Sequence, residues 1–200
     1  MKTAYSFDFD GTITEIPGED SEIYSTGGQY RSLSPEFVYV NLKNVFQRCL
    51  TANEKKSLKA FFETLASDPN NIITIQTRNY RNVVLACLYH YLELPESIID
   101  INRSCFRETL KSKTSSLEDL CDDPTIERVY FFEDTKSYLE DAMLLGPKIR
   151  IIDCKKGENC LGVLLSMCPV TDKASLDEFL TAFSSDQIDY ESNEPEIDTD

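Results

Sequence analysis

Tyr5-Ser6-Phe7-Asp8-Phe9-Asp10-Gly11-Thr12 is a short apolar run that ends in two carboxylates two residues apart and then in Gly and Thr. The apolar run reads as a buried strand, and Gly-Thr reads as its end. Strand alternation carries Asp8 and Asp10 to the same side if the strand continues, and at a strand end both can lean into one pocket. Carboxylates held that close repel unless a cation or a shared proton offsets them. The pair therefore predicts a divalent metal, and hard oxygen ligands suit Mg²⁺. Taken alone, Asp-x-Asp fits a solvated Asp-Gly turn after an edge strand equally well. The apolar strand before it and Gly-Thr after it favour the pocket.

The chain around this octet is long enough, at 200 residues, for one domain with a sizeable core. Its net charge is −15, and residues 184–200 hold seven acidic and no basic residues, which leaves −8 on the rest. A surface this acidic lacks the basic stripe that a nucleic-acid partner needs, and it disfavours an anionic membrane for the same reason. Seven cysteines without a Cys-x-x-Cys, beside a single histidine, argue against a zinc site. Lys2 is followed at once by the strand, with no secretory signal, and no 18-residue apolar run predicts membrane insertion. The expectation is a cytoplasmic protein with reduced thiols packed as small apolar residues.

Residues 13–34 are poor in large apolar side chains and read as a loop or small hairpin beside the Asp pair. Tyr24, Tyr30 and Arg31 are candidates to line a substrate entrance, with ordinary loop side chains as the alternative. Ser34-Pro35-Glu36 has the form of a helix start. Leu42, Val45, Phe46, Cys49 and Leu50 then follow helical spacing, although Phe37–Val40 alone also suits a strand. A second helix near Asn53 carries Leu58, Phe61, Phe62 and Leu65 on one face.

The β-branched run Ile72–Thr77 reads as a strand that leads, through Thr77-Arg78-Asn79, into a helix with Val83, Val84, Cys87, Leu88, Tyr91 and Leu92 on one side. A hydroxyl at a strand end before a helix suits a phosphoryl oxygen, with a helix N-cap as the competing use of Thr77. Arg78 is a further candidate substrate contact. His90 reads as a surface or half-buried histidine. Ser97–Ile101 reads as a third strand. In Lys111-Ser112-Lys113-Thr114-Ser115-Ser116, a lysine at a helix start opposes the macrodipole, which makes sense if it reaches into an anionic site. Solvated lysines in a Ser-rich loop are the alternative.

Val129–Phe132 is a strongly apolar strand that ends in Glu133-Asp134-Thr135, and a helix with Tyr138, Leu139, Ala142 and Met143 follows. Lys148–Ile152 reads as the next strand, Leu161–Leu165 as one more, and Leu176, Phe179, Leu180 and Phe183 as a last helix. From Ser184 onward the acidic chain has little to bury and reads as a disordered tail. Strands alternating with helices predict an α/β class, a Rossmann-like three-layer sandwich on a mainly parallel five- or six-stranded sheet. Ligands of such sheets bind beyond the carboxyl ends of the strands, where all four polar clusters fall.

Asp8-Phe9-Asp10-Gly11-Thr12 resembles the first motif of the haloacid dehalogenase-like (HAD) superfamily, mostly Mg²⁺-dependent phosphatases. Thr77 resembles the second motif and Lys113, with Leu117 and Leu120 four and seven residues later, the third. Glu133-Asp134 after an apolar strand resembles the fourth. The resemblance covers about residues 4–152. It implies Asp8 as the nucleophile, Asp10 as general acid and then base, Thr77 as the phosphate-binding hydroxyl and Lys113 as the site lysine, with Lys111 as the fallback. It implies a metal held by Asp8, the backbone carbonyl of Asp10, and Asp134, with Glu133 one shell out or reaching the metal through water. Two departures are Glu133, where many relatives carry Asp or Gly, and the acid often found four or five residues after Asp134, replaced here by Tyr138 and Leu139.

Little chain remains between the motifs for a cap domain, so the resemblance implies a phosphatase domain over residues 1–183 with a minimal flap at about 13–34. An open site suits a phosphorylated protein substrate, and capless relatives include phosphotyrosine phosphatases. The alternatives are a small-molecule phosphatase (sugar or nucleotide phosphate) closed by a second subunit, and a non-catalytic binding module that keeps the fold. A cysteine-based tyrosine phosphatase is excluded, because no cysteine has an arginine six positions later. The capless form and the acidic tail also resemble HAD phosphatases that intracellular bacteria deliver into host cells, which places the expected site of action in the host cytosol.

Overall fold

The computed structural model describes residues 1–14, 27–154 and 160–185. Tyr24 of the expected entrance and residues 186–200 of the expected tail lie outside the described residues. Five strands form one sheet: β1 (Lys2–Phe7), β2 (Asn71–Ile75), β3 (Ile126–Glu133), β4 (Ile149–Asp153) and β5 (Ser184–Ser185), in the order β2-β1-β3-β4-β5. The first four pair in parallel, and β5 is antiparallel to β4. The chain thus has the α/β sandwich with a mainly parallel sheet.

Alternation along β1 sorts its side chains into two cores. Tyr5 and Phe7 enter the larger core, where Phe7 stacks on Phe132 at 4.3 Å and meets Phe61 edge-on. Helices α1 (Pro35–Cys49) and α2 (Ala52–Ala66) build that core with α3 (Arg81–Leu85), α6 (Leu161–Met167) and α7 (Lys173–Phe183). Ala4 enters the smaller core with Leu117 of α4 (Lys113–Asp122), Leu139 of α5 (Lys136–Met143), Phe131 and Ile151. The larger core therefore lies on the face opposite α4 and α5.

The helix starts follow the side-chain chemistry of their caps. Ser34 Oγ accepts the Phe37 N–H, with Pro35 at the first helical position, so Phe37–Val40 is helix rather than strand. Thr51 and Glu54 form a reciprocal capping box at the head of α2. Helix α3 continues as π turns over Ala86–Tyr91, capped by Leu92, and Glu93 follows at φ +58°.

Three strand and tail expectations are corrected. Ser97–Ile101 is not a strand: 3₁₀ turns at Glu96–Ile98 and Ile101–Arg103 replace it, because the Asp100 carboxylate accepts the N–H groups of Asn102 and Arg103. This segment still covers the β2 edge, since the Asp100 and Cys105 N–H groups donate to Ile73 and Ile75. Leu161–Leu165 is helix α6, with Leu161, Leu164 and Leu165 buried at helical spacing against α2. A Cβ on Gly162 would come within 2.9 Å of Glu54 Cβ, which shows how closely the two helices approach. Ser184 and Ser185, read as the start of the tail, are ordered as β5 on Ile152 and Ile151.

The sheet order places the site. After β1 the chain crosses to β2 on one flank and then returns to β3 on the other. The carboxyl end of β1 is therefore the switch point, where connections leave in opposite directions and open a crevice. Asp8 and Asp10 stand at that end.

Candidate active site

Asp8 is the first residue after β1, and its N–H donates to the Phe132 carbonyl of β3 at 2.8 Å. The chain then folds back on itself: Ile13 and Thr14 donate to the Phe9 carbonyl, and Gly11 to the Thr14 carbonyl. This turn keeps Asp8 and Asp10 buried at the crevice floor. Gly11 sits at φ +90°, and a Cβ there would lie 2.1 Å from Asp134 Oδ2. Only glycine accepts both that backbone conformation and that approach.

Lys113, the first residue of α4, projects from a helix start capped by Ser112. Its Nζ lies 2.6 Å from Asp8 Oδ1 and 2.9 Å from Glu133 Oε2, and all three residues are buried. Lys111 is exposed and pairs with Asp119 on the surface, so Lys113 is the lysine in the site. Glu133 also accepts the Thr135 N–H through its other oxygen, at 3.1 Å. Asp134 is half-buried and accepts a hydrogen bond from the Thr135 hydroxyl at 3.1 Å.

Burial pushes the Asp8 carboxyl well above its ordinary range. Lys113 opposes that shift, while Glu133 and Asp10 add to it. Burial also raises Glu133, against the pull of Lys113. For Lys113, burial acts downward, yet Asp8 and Glu133 outweigh it and the ammonium is held more firmly than usual. Burial first, and for Asp8 the neighbouring carboxylates second, outweigh what the one lysine offsets.

One carboxylate oxygen each from Asp8, Glu133 and Asp134 lie within 4.8 Å of one another. A set made only of hard oxygen donors, with three carboxylates facing one ammonium, fits a divalent cation such as magnesium. Glu133 thus stands inside the acidic group and also anchors Lys113.

Asp10 has a different set of partners. Asn79 Nδ2 donates to its Oδ1 at 3.1 Å, and the Thr77 hydroxyl to its Oδ2 at 3.4 Å. Thr77 Oγ1 in turn accepts the Asn79 N–H at 3.0 Å. The Thr77 side chain does not cap α3, whose N-cap residue is Tyr80 without a side-chain bond. A phosphoryl oxygen that takes the Thr77 proton has to compete with Asp10 for it.

Arg78 is exposed, with its guanidinium over the Tyr138 ring at 5.5 Å. The same ring lies 4.4 Å from Lys113 Nζ. Tyr138 therefore covers the site lysine from a position four residues after Asp134. Tyr30 is half-buried against the larger core and Arg31 is exposed, and neither lines the cavity that opens onto Lys113. That cavity, of about 590 Å³, is bounded by Thr77, Arg78, Phe106, Arg107, Lys113 and Tyr138 among others. Sequence reasoning missed Asn79 and Tyr138. Their signals were an amide two residues after the strand-end hydroxyl, and an aromatic one helical turn after Asp134.

The comparisons bear on this arrangement. No family model and no curated protein matches the sequence. Solved structures do match. The HAD domain of the effector Lem4 from Legionella pneumophila superposes with a TM-score of 0.57 at 17% identity, over 88% of this chain and 97% of that one. The chain has the HAD fold. An inactive mutant of the same Lem4 domain gives 0.62 at 18% identity, over 90% and 99%. The Legionella pneumophila effector Ceg4, carrying an N-terminal yeast Hog1p sequence, gives 0.61 at 15% identity, over 91% and 95%. Within this HAD fold, the Asp pair follows the central strand β1 and the Glu133-Asp134 pair stands at the end of its neighbour β3. Among the described residues, no helix is long and apolar enough to cross a membrane.

Proposed function

We propose that this chain is a phosphomonoester phosphatase that works through an aspartyl-phosphate, and that its substrate is a phosphorylated protein, with phosphotyrosine preferred. The observation that carries the reading is the Lys113 bridge between Asp8 and Glu133, beside a separately held Asp10. Lys113 pulls the Asp8 carboxyl back toward its anion, against the burial that raises it, and the anion is the form a nucleophile requires. Asn79 and Thr77 hold Asp10 apart from that pairing, in position to exchange a proton with the leaving oxygen.

Asp8 forms an O–P bond as the ester P–O bond breaks, and Asp10 gives its proton to the leaving oxygen. Asp10 then takes a proton from water, which attacks phosphorus and releases Asp8 and inorganic phosphate. Lys113 draws off negative charge as the dianionic phosphoryl group approaches. A Mg²⁺ ion held by Asp8, Asp134 and the Asp10 carbonyl, with Glu133 beside them, would supply further screening of that charge.

Two observations support a large aromatic phosphoester. Both helices between the first two motifs pack into the main core, which supports an uncapped site. The adjoining cavity has room beyond a phosphate and carries Tyr138 and Phe106 on its wall. That the neighbours are bacterial effectors supports action in a host cytosol.

The test is phosphate release from a phosphotyrosine and a phosphoserine peptide, with Mg²⁺ or EDTA, for wild type and Asp8→Asn. Mg²⁺-dependent release that vanishes in Asp8→Asn is expected, faster from phosphotyrosine. Activity surviving Asp8→Asn overturns the mechanism. Turnover confined to small phosphomonoesters overturns the protein substrate.

A further inference from the structure

We propose that the cavity beside Lys113 is a recognition groove for acidic residues flanking the phosphorylated tyrosine of a protein substrate. This deepens the phosphatase reading and rests on it for the position of the phosphoryl group.

The chain carries a net charge of −15, yet four cations line this one cavity: Arg78, Arg107, Lys111 and Lys113. Two of them are engaged, Lys113 by Asp8 and Glu133, and Lys111 by Asp119. Arg78 and Arg107 meet no carboxylate among the described residues. Each guanidinium rests on an aromatic face instead, Arg78 over Tyr138 at 5.5 Å and Arg107 over Tyr80 at 5.0 Å. Both arginines are exposed. Stacking on a ring restrains a guanidinium while leaving its edge N–H donors open, and those edges match a carboxylate in two parallel hydrogen bonds.

The local framework holds this pair in place. The Arg107 N–H donates to the Asn79 carbonyl at 3.0 Å, which ties the segment bearing Arg107 to the turn bearing Thr77 and Arg78. The adjacent Glu108 is the natural competitor for Arg107, but its two carboxylate oxygens accept the Arg81 N–H. Leu110, fully exposed on the cavity wall, adds an apolar contact of the kind a peptide side chain meets.

Charge selects the ligand class. A polyanion such as a nucleic acid would extend beyond two arginines into the field of a strongly acidic molecule. A peptide with one or two carboxylates meets only the local cations, because charges beyond about 8 Å are largely screened at physiological salt.

The experiment uses three phosphotyrosine peptides of equal length, flanked by Glu, Gln or Lys. The expected order of kcat/KM is Glu over Gln over Lys, about tenfold between the extremes and carried by KM, and narrowing at high salt. The double variant Arg78→Glu/Arg107→Glu is expected to reverse the order, a result that an unfolded protein cannot give. The single variants Arg78→Gln and Arg107→Gln should flatten it and serve if the double variant does not fold. Equal kcat/KM for the three peptides in wild type, or an order unchanged in the variants, overturns the groove and leaves the phosphatase reading standing. Should no peptide be hydrolysed, the protein-phosphatase reading falls, and the groove is read by equilibrium binding of the same peptides carrying a non-hydrolysable difluorophosphonate. Binding in the order Glu over Lys then upholds the groove, and equal binding overturns it. A bisphosphorylated small molecule preferred over every peptide also overturns it.

Discussion

Replacing Gly11 by Ala tests whether the close approach of the first turn to Asp134 organises the site. The perturbation has two separable parts. The backbone at φ +90° must carry a Cβ, which costs about 1–2 kcal/mol for an L-residue in left-handed geometry. For a chain of this size that is a fall in Tm of roughly 2–8 °C. The new Cβ also falls 2.1 Å from Asp134 Oδ2 and 2.7 Å from its Cγ, so the carboxylate must move by about 1 Å to restore van der Waals contact. Asp134 is half-buried and can swing outward, so this second part costs little stability but removes an oxygen from the acidic group. A misplacement of about 1 Å at a reacting centre is worth about 100-fold in rate. The assays are thermal unfolding, Mg²⁺ titration by calorimetry, and phosphate release. Gly11→Ala should match Asp134→Ala in Mg²⁺ affinity and activity, and the double variant should lose nothing beyond Asp134→Ala in either, because both act through one carboxylate. Gly11→Ala with wild-type Mg²⁺ affinity and wild-type turnover would refute this reasoning.

Asn79→Ala removes the amide that holds Asp10 Oδ1, and kcat should fall about tenfold or more with KM little changed in steady-state assays; an effect on KM alone would contradict its role in placing Asp10. Lys113→Met leaves Asp8 and Glu133 buried without their cation, so in EDTA it should unfold about 3–5 kcal/mol more easily at neutral pH, a gap that added Mg²⁺ narrows. Equal denaturant midpoints for Lys113→Met and wild type in EDTA would contradict that pairing. Asp123 accepts bonds from Thr125 and Arg103, which hold its carboxyl down to about 2. Its folded value lies below the unfolded one, so its contribution to stability is present above about pH 4 and is lost as pH falls toward 2. Asp123→Asn should flatten the pH dependence of unfolding in that window, and an unchanged slope would show that those bonds do not hold the carboxylate.

The parts of this protein legible in its sequence are those set by short-range chemistry. Hydrophobic runs that end in acids or hydroxyls mark β1, β2 and β3 and their carboxyl ends, because a strand buried on both faces needs continuous apolar residues and only its end can hold charge. The helix start at Ser34 followed from a capping group that acts within one turn. Leu161–Leu165 and Ser97–Ile101 were misread because a five-residue stretch is too short to show a period of its own. The α2 surface and the Asp100 side chain settle those two segments. The partner of each polar residue also lay beyond the sequence. That Lys113 binds Glu133 as well as Asp8, that Asn79 holds Asp10, and that Tyr138 covers the lysine are contacts across 20, 69 and 25 positions. Local residue types determined which groups were available for chemistry. Only the packing of β1 between β2 and β3, with α4 laid across one face, decided which of them meet, because a charge buried at a crevice floor is tolerated only beside the partners that the tertiary structure brings to it.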